Sequence, residues 1–381
     1  MSSTNPTNQA AYVLTPREKP LVVGSAPFPT PTADEIVIQN RAIAINPVDW
    51  FIHYTGKALL SFIPYPAILG DDVSGVVHSI GNKVKDLKIG DRITAMCLGS
   101  TKGHGAREGG LQNYTVVREV LTAKIPDELA FEKVVVLPLT LCTAAAGLFQ
   151  KDFLMLDMPP VGKSADRKGE ALLVWAGSTS VGCNAIQLAN LAGYDVYTTC
   201  SPRNYSLVKR LGAKQVFDYS SPNVVEEIVD ALKGKKVAGA YAQANGGPEA
   251  CIAIMSKLKG GKDVKKTIAN ASVPWPKEFP EGKGQNWTIF LFVLGFLRFQ
   301  ISTTFRCMMG GVSMKFVVCD TIKDNEVGRH LFGSFLPWAL RERVYECAPE
   351  PQVVGHGLEK VQEAFDVQKR GVSAKKIVVT L

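Results

Sequence analysis

From Tyr12 to about Leu137, apolar and polar positions alternate in short runs broken by turn residues: EIVIQNRAIAI, DDVSGVVHSIG, DRITAM and LQNYTVVREVLTAKIP. A period of two marks strands with one face toward a core, so this part reads as an all-β domain. After Pro138 the pattern lengthens. The runs ALLVWAG, DVYTTC and QVFDYS alternate with SVGCNAIQLANLAG, NYSLVKRLGA and VVEEIVDALKG, and strands alternating with helices of this length predict parallel βαβ units. The expected fold class is therefore α/β, a doubly wound parallel sheet beside a mainly β domain. Residues 153–170 (FLMLDMPPVGKSADRKGE) read as a surface insertion. From Val353 onward a helix-period segment, LEKVQEAFDVQKRG, leads to a last strand, KKIVVTL, expected to rejoin the first domain. The expected boundaries are 1–140 with 346–381 for the β domain and 141–345 for the α/β domain. No internal repeat is present.

The chain has 381 residues, 46% hydrophobic and 20% charged, which excludes a disordered chain and allows about two domains. MSSTNPTNQAAY has neither an apolar core nor an Arg-rich amphipathic pattern, so the expected location is the cytoplasm. The eight cysteines contain no CxxC pair and are expected to be reduced thiols, neither disulfides nor a metal cluster. Gln285 to Leu297 is free of charge until Arg298 stops it, too short a run for a spanning helix. It is expected to be a buried helix or pocket wall, with a subunit or membrane-surface contact as the alternative. Net charge is +8. Lys257, Lys259, Lys262, Lys265 and Lys266 cluster, either as a solvated face or as a dock for an anionic partner. No nucleic-acid motif accompanies them.

The strand ALLVW runs into AGSTSVG and then a helix, the setting in which a glycine-rich turn binds a dinucleotide pyrophosphate. Gly177 and Gly182 take the first and third glycine positions. Thr179 replaces the second, and Ser178, Thr179 and Ser180 are expected to offer hydroxyls to phosphate. The next strand, DVYTTC, lacks the terminal Asp or Glu that holds the ribose 2′-hydroxyl of NAD; it empties into Ser201-Pro202-Arg203-Asn204 instead. Arg matches phosphate oxygens with a planar fork, which favours NADPH over NADH. The competing role for Ser201 and Arg203 is to cap the following helix.

These residues resemble the medium-chain dehydrogenase/reductase superfamily, in its zinc-independent quinone and enoyl reductase branch. The landmarks run in order through nearly the whole chain: AINPVD, PAILGDDVSGVV, IGDRI, LPLTLCTAAAG, the glycine-rich turn, RLGAKQVFDY and GVSAKKIVV. The resemblance implies a GroES-like domain split between the two ends of the chain and a Rossmann NADP-binding domain between them. It places Val48, Asp49 and Trp50 near the nicotinamide end of the cofactor, and Ser178 to Val181 (Thr179 and Ser180 included) at the pyrophosphate. Ser201, Arg203, Asn204 and Tyr219 fall around the 2′-phosphate, with a core position as the alternative for Tyr219. Ser373, Ala374 and Lys375 fall beside the nicotinamide ribose. Leu139, Thr140, Cys142 and Thr143 fall on the floor shared with substrate. Where zinc relatives carry their ligands this chain has Asn46, Asp71-Asp72 and about Leu139, so no metal is expected. None of the five histidines has ligand spacing, though His53 is placed to face the nicotinamide.

Without zinc to polarise an alkoxide, hydride delivery to a conjugated C=C or a quinone fits better than alcohol oxidation. The Tyr that enoyl reductases of the mitochondrial type carry after NPxD is missing from TGKALL, which leaves Tyr54, Thr143 or solvent as proton donor. CSPRNYSLVKRLGA and VFDYSSPN resemble fungal trans-acting enoyl reductases, implying a carrier-bound substrate and a megasynthase partner. The alternatives are a non-catalytic NADPH-binding protein and an alcohol or aldehyde reductase. A monomer and a homodimer are both compatible with the sequence.

Overall fold

The computed structural model describes residues 7–381 apart from Leu59 and Lys277, and so leaves outside it the first six residues on which the reading of the N-terminus partly rests. The chain packs as two units. One runs to Cys142 and resumes from Lys323 to Leu381; the other is Thr143–Ile322.

The first unit holds β1 (Asn8–Tyr12), β2 (Val22–Ala26), β3 (Glu35–Ile45), β4 (Asp72–Ile80), β5 (Arg92–Met96), β6 (Tyr114–Arg118) and β7 (Thr122–Lys124). The second holds β8 (Glu170–Val174), β9 (Asp195–Cys200), β10 (Ala213–Asp218), β11 (Lys236–Ala242), β12 (Thr267–Asn270) and β13 (Ser313–Phe316). The first unit is completed by β14 (Glu350–His356) and β15 (Lys375–Thr380).

In the first unit the strand order is β14-β15-β3-β4-β5-β7, with β6 also on β3. β15 lies antiparallel to β3, Val378 opposite Ala44. That pairing brings the chain's last residues beside the segment that follows β3, a juxtaposition on which the site depends. Residues 323–345, expected within the α/β domain, cluster with the first unit instead. The reason is apolar: Phe332 and Phe335 are buried on a helical stretch packed against β7 and the turn Glu119–Leu121.

In the second unit a six-stranded parallel sheet runs β10-β9-β8-β11-β12-β13. This is the doubly wound Rossmann order, which reverses between β8 and β11 and makes the carboxyl ends of those two strands the ligand-binding crevice. One face is covered by Ile228, Leu232, Cys251, Ile254 and Met255. The insertion is anchored rather than loose: Leu154 and Leu156 are buried, and Arg167 bonds back to the carbonyl of Tyr194 at 2.8 Å. The eight cysteines are free thiols.

The apolar run from Gln285 corrects the expectation of a buried helix. It belongs to a 26-residue helix, Gln285–Gly310, on which Ile289 and Thr303 are buried while Trp287 and Ile301 stay 62% and 72% exposed. Apolar residues occupy its outer side as well as its inner one, so hydrophobicity could not reveal which side packs.

Candidate active site

The turn after β8 is built by close approach. Ala176 stands at φ +63°, and a Cβ on Gly177 would fall 2.1 Å from Thr198 Oγ1 on β9. A Cβ on Gly182 would fall 2.4 Å from the Ala176 carbonyl oxygen, so only glycine lets the helix Ser180–Leu191 start against the turn. Thr179 caps that helix: its hydroxyl accepts from Gly182 N at 3.1 Å and donates to the Ala176 carbonyl at 2.8 Å. Its hydroxyl is thus engaged on both sides inside the turn. Ser178 Oγ accepts from Asn204 Nδ2 at 3.3 Å, while Ser180 and Val181 sit half-buried in the helix's first turn. With no acidic residue in that turn, its open N–H groups and dipole favour an anion.

At the end of β9 the Ser201 hydroxyl lies 3.5 Å from that of Tyr219. Tyr219 is 52% exposed, not a core residue. Arg203 is exposed, and Ser201 makes no side-chain capping bond to the turn Pro202–Asn204. Asp195 lies at the start of β9. Burial raises its pKa, but hydrogen bonds from Lys214, at 2.6 Å, and Arg167 hold it below the usual carboxylate value.

The loop after β11, absent from the sequence expectations, supplies the other half of the crevice. Gln243 is buried, Ala244 stands at φ +59°, and a Cβ on Gly247 would meet Trp175 Cδ1 at 2.9 Å. The two loops at the point of strand reversal thus touch. The AQANGG run was the signal that could have marked this loop.

The first unit holds a buried charged cluster where β3 passes into the helix Pro47–Thr55. Asn46 N donates to Asp49 Oδ2 at 2.7 Å, and Asn46 Nδ2 donates to Asp72 Oδ2 at 2.8 Å. Asp72 Oδ1 accepts from Leu139 N at 2.6 Å. Ser100 Oγ donates to Asp71 Oδ1 at 2.6 Å. Into this group of acids β15 sends Lys376, whose ammonium donates to Asn46 Oδ1 and pairs with Asp72 Oδ2 at 2.8 Å. Burial, and then the neighbouring charge of Asp71, push Asp49 well above the usual carboxylate range. The Cys97 thiol is pushed up in the same way.

The sequence of the alcohol dehydrogenase GroES-like domain family matches residues 32–127. Dehydrogenase pigH of Monascus ruber is 43% identical over 99% of this chain and 100% of its own. Trans-enoyl reductase himH of Aspergillus japonicus is 34% identical over 98% of this chain and 97% of its own. The chain belongs to the medium-chain dehydrogenase/reductase superfamily. An alcohol dehydrogenase superfamily protein from Novosphingobium aromaticivorans shares the fold, with TM-score 0.70 at 22% identity, covering 98% of this chain and 100% of that one.

A superfamily oxidoreductase of this kind uses a nicotinamide cofactor, and the turn after β8 fits its pyrophosphate. Other expected residues divide. Val48 is half-buried and Trp50 buried on the helix that Asn46 begins. His53 is 2% exposed, with Nε2 2.6 Å from the carbonyl of Glu18 and its ring against Phe365. Tyr54 is buried too, with Lys369 Nζ 4.8 Å above its ring. Thr140 spends its hydroxyl on the carbonyls of Val136 and Leu137, and Cys142 is fully buried. Thr143 is half-buried, its carbonyl accepting from Tyr241 at 2.7 Å. Ser373 and Lys375 are exposed, and Ala374 between them stands at φ +49°. In the lysine cluster Lys257, Lys259 and Lys262 are exposed, Lys257 pairing with Glu226 at 2.5 Å, while Lys265 and Lys266 donate to the carbonyls of Leu154 and Ser256. No group of three His, Cys, Asp or Glu among the described residues is arranged to hold a metal ion.

Proposed function

We propose that this oxidoreductase is an NADPH-dependent, zinc-independent reductase of conjugated C=C bonds or quinones, working as a trans-acting enoyl reductase on a carrier-presented substrate. The observation that carries zinc independence is Lys376. Its ammonium sits between Asn46 and Asp72, two of the positions that correspond to zinc ligands in relatives, and Leu139 N takes the other oxygen of Asp72. A divalent ion placed there would have to displace a cation already neutralising the site. Ser201, Arg203, Asn204 and Tyr219 support a 2′-phosphate, since β9 itself ends in Cys200 with no carboxylate of its own to claim a ribose hydroxyl. When bound, reduced nicotinamide supplies the hydride. The chain's own part is to hold the pyrophosphate on the turn Gly177–Gly182, to fix the Asn46–Trp50 segment through the buried ion pair, and to exclude water. The trans-enoyl reductase name of the himH relative supports the enoyl class.

The test is loss of reduced-nicotinamide absorbance over a panel of enones, quinones, enoyl thioesters and simple aldehydes, free and carrier-bound, with and without chelator. Turnover of conjugated substrates that chelator does not reduce is expected. Loss of activity on chelation would overturn zinc independence, and reduction of aldehydes in preference to enones would overturn the substrate class.

A further inference from the structure

The outer side of the helix Gln285–Gly310 has no covering element among the described residues, although many of its side chains are large and apolar. Trp287, Leu291, Leu294, Ile301, Phe305 and Met308 are each between 46% and 76% exposed. At 100° per residue they and the exposed apolar residues flanking them sweep roughly 160° of the helix circumference. The opposite side holds the helix to its own unit: Ile289 and Thr303 are buried there, and a Cβ on Gly310 would meet Ser256 Oγ of the preceding helix. By length and composition the segment is apolar enough to cross a bilayer. Fixed along one flank, it is built to lie on a surface rather than to cross one.

Charge narrows the choice of occupant. From Gln285 to Cys319 there is no Asp or Glu, and the charged residues are Arg298, Arg306 and Lys315. Lys315 pairs with Asp152 at 3.7 Å. No carboxylate pairs with Arg298 or Arg306 among the described residues, and both are exposed. Arg298 lies midway along the helix and toward one edge of the apolar sector. An antiparallel twofold pair centred there would bring it near the like charge of its own copy. The apolar sector is also wider than the narrow seam of a coiled coil. A broad apolar face, a Trp near one end and unpaired arginines suit a planar medium that is apolar inside and anionic outside.

We infer that the face formed by Trp287, Leu294, Arg298, Ile301 and Phe305 docks the protein on an anionic lipid surface, with the helix lying in the plane of the headgroups. This places the enzyme beside membrane-held apolar molecules and is independent of its cofactor and substrate.

Flotation of the full chain with phosphatidylcholine vesicles, with and without phosphatidylserine, tests it. Binding that phosphatidylserine strengthens is expected. Arg298→Gln with Arg306→Gln should weaken that binding about thirtyfold, from about 1 kcal/mol per basic residue near such a surface. Leu294→Glu with Ile301→Glu should abolish it. Both variants change exposed side chains, so unchanged circular dichroism and unchanged NADPH binding separate loss of docking from loss of fold. Absence of flotation with either vesicle would overturn the inference. So would a homodimer in solution that Leu294→Glu with Ile301→Glu splits, because the face would then belong to a second copy.

Discussion

Lys376 Nζ stands 2.8 Å from Asp72 Oδ2, in an ion pair whose side chains are 4% and 0% exposed. A buried charge loses its hydration, and the pair is tolerated because each member meets further partners: Asn46 for the lysine, Asn46 Nδ2 and Leu139 N for the carboxylate. Removing one partner strands the other. Lys376→Met and Asp72→Asn should each destabilise the protein by about 3–5 kcal/mol, whereas the double variant should cost less than their sum by about 1–3 kcal/mol. Urea unfolding of the four proteins checks this, and additive losses would show that the pair does not act as one unit.

Asp49 should give the same cluster a pH dependence. Its folded-state pKa is raised by burial and by Asp71, so the folded protein holds a proton that the unfolded chain releases above about pH 4. Stability from this group is complete below the unfolded value and is lost as pH rises through the folded one. Asp49→Asn imitates the protonated acid and still accepts from Asn46 N. The variant should show a flatter stability curve as pH rises above about pH 4 and gain on the parent at the upper end. Parallel curves would remove Asp49 as the source.

The glycine-rich turn predicts an asymmetric response to alanine. Gly182→Ala puts a Cβ 2.4 Å from a carbonyl oxygen of the backbone, which cannot swing aside as a side chain does. Roughly 1–3 kcal/mol of overpacking is expected, together with loss of NADPH binding as the helix start is pushed off the turn. Gly295→Ala meets no atom within 4 Å on the exposed helix and should leave NADPH binding unchanged while stabilising slightly. Fluorescence titration with NADPH, beside thermal melting, reads both, and equal NADPH affinity in the Gly182 variant would contradict the close-approach argument.

What the sequence made legible follows from range. Strand and helix periods, the turn from Gly177 to Gly182 and the group at Ser201 to Asn204 are local patterns, and each carries its own reason. Lys376 and Asn46 lie 330 residues apart, so their bond exists only once β15 pairs with β3. The buried acids were visible, but the cation that answers them was hidden in an ordinary strand-start KK. Residues 323–345 moved to the other unit for a similar reason, since Phe332 and Phe335 announce burial without naming the surface that buries them. The helix Gln285–Gly310 failed in the opposite direction. Its apolar residues follow a helical period on both sides, and nothing local distinguishes a buried flank from an exposed one.

On the proposed reading, the exposed guanidinium of Arg203 is what selects NADPH. The same turn carries Ser201, whose hydroxyl lies 3.5 Å from that of Tyr219, and Asn204, whose amide reaches back to Ser178. A charge-assisted contact to a 2′-phosphate contributes about 1.5–3 kcal/mol, so Arg203→Ala should weaken NADPH by about 10- to 150-fold. NADH carries no 2′-phosphate and should lose little. Ser201 makes no capping bond to the turn that follows it, so a purely helical role for this pair has little to act through. Paired titrations of the parent and variant with both cofactors decide the matter: a selective loss of NADPH affinity assigns the guanidinium to the phosphate, and an equal loss for both returns Arg203 to a role in holding the turn.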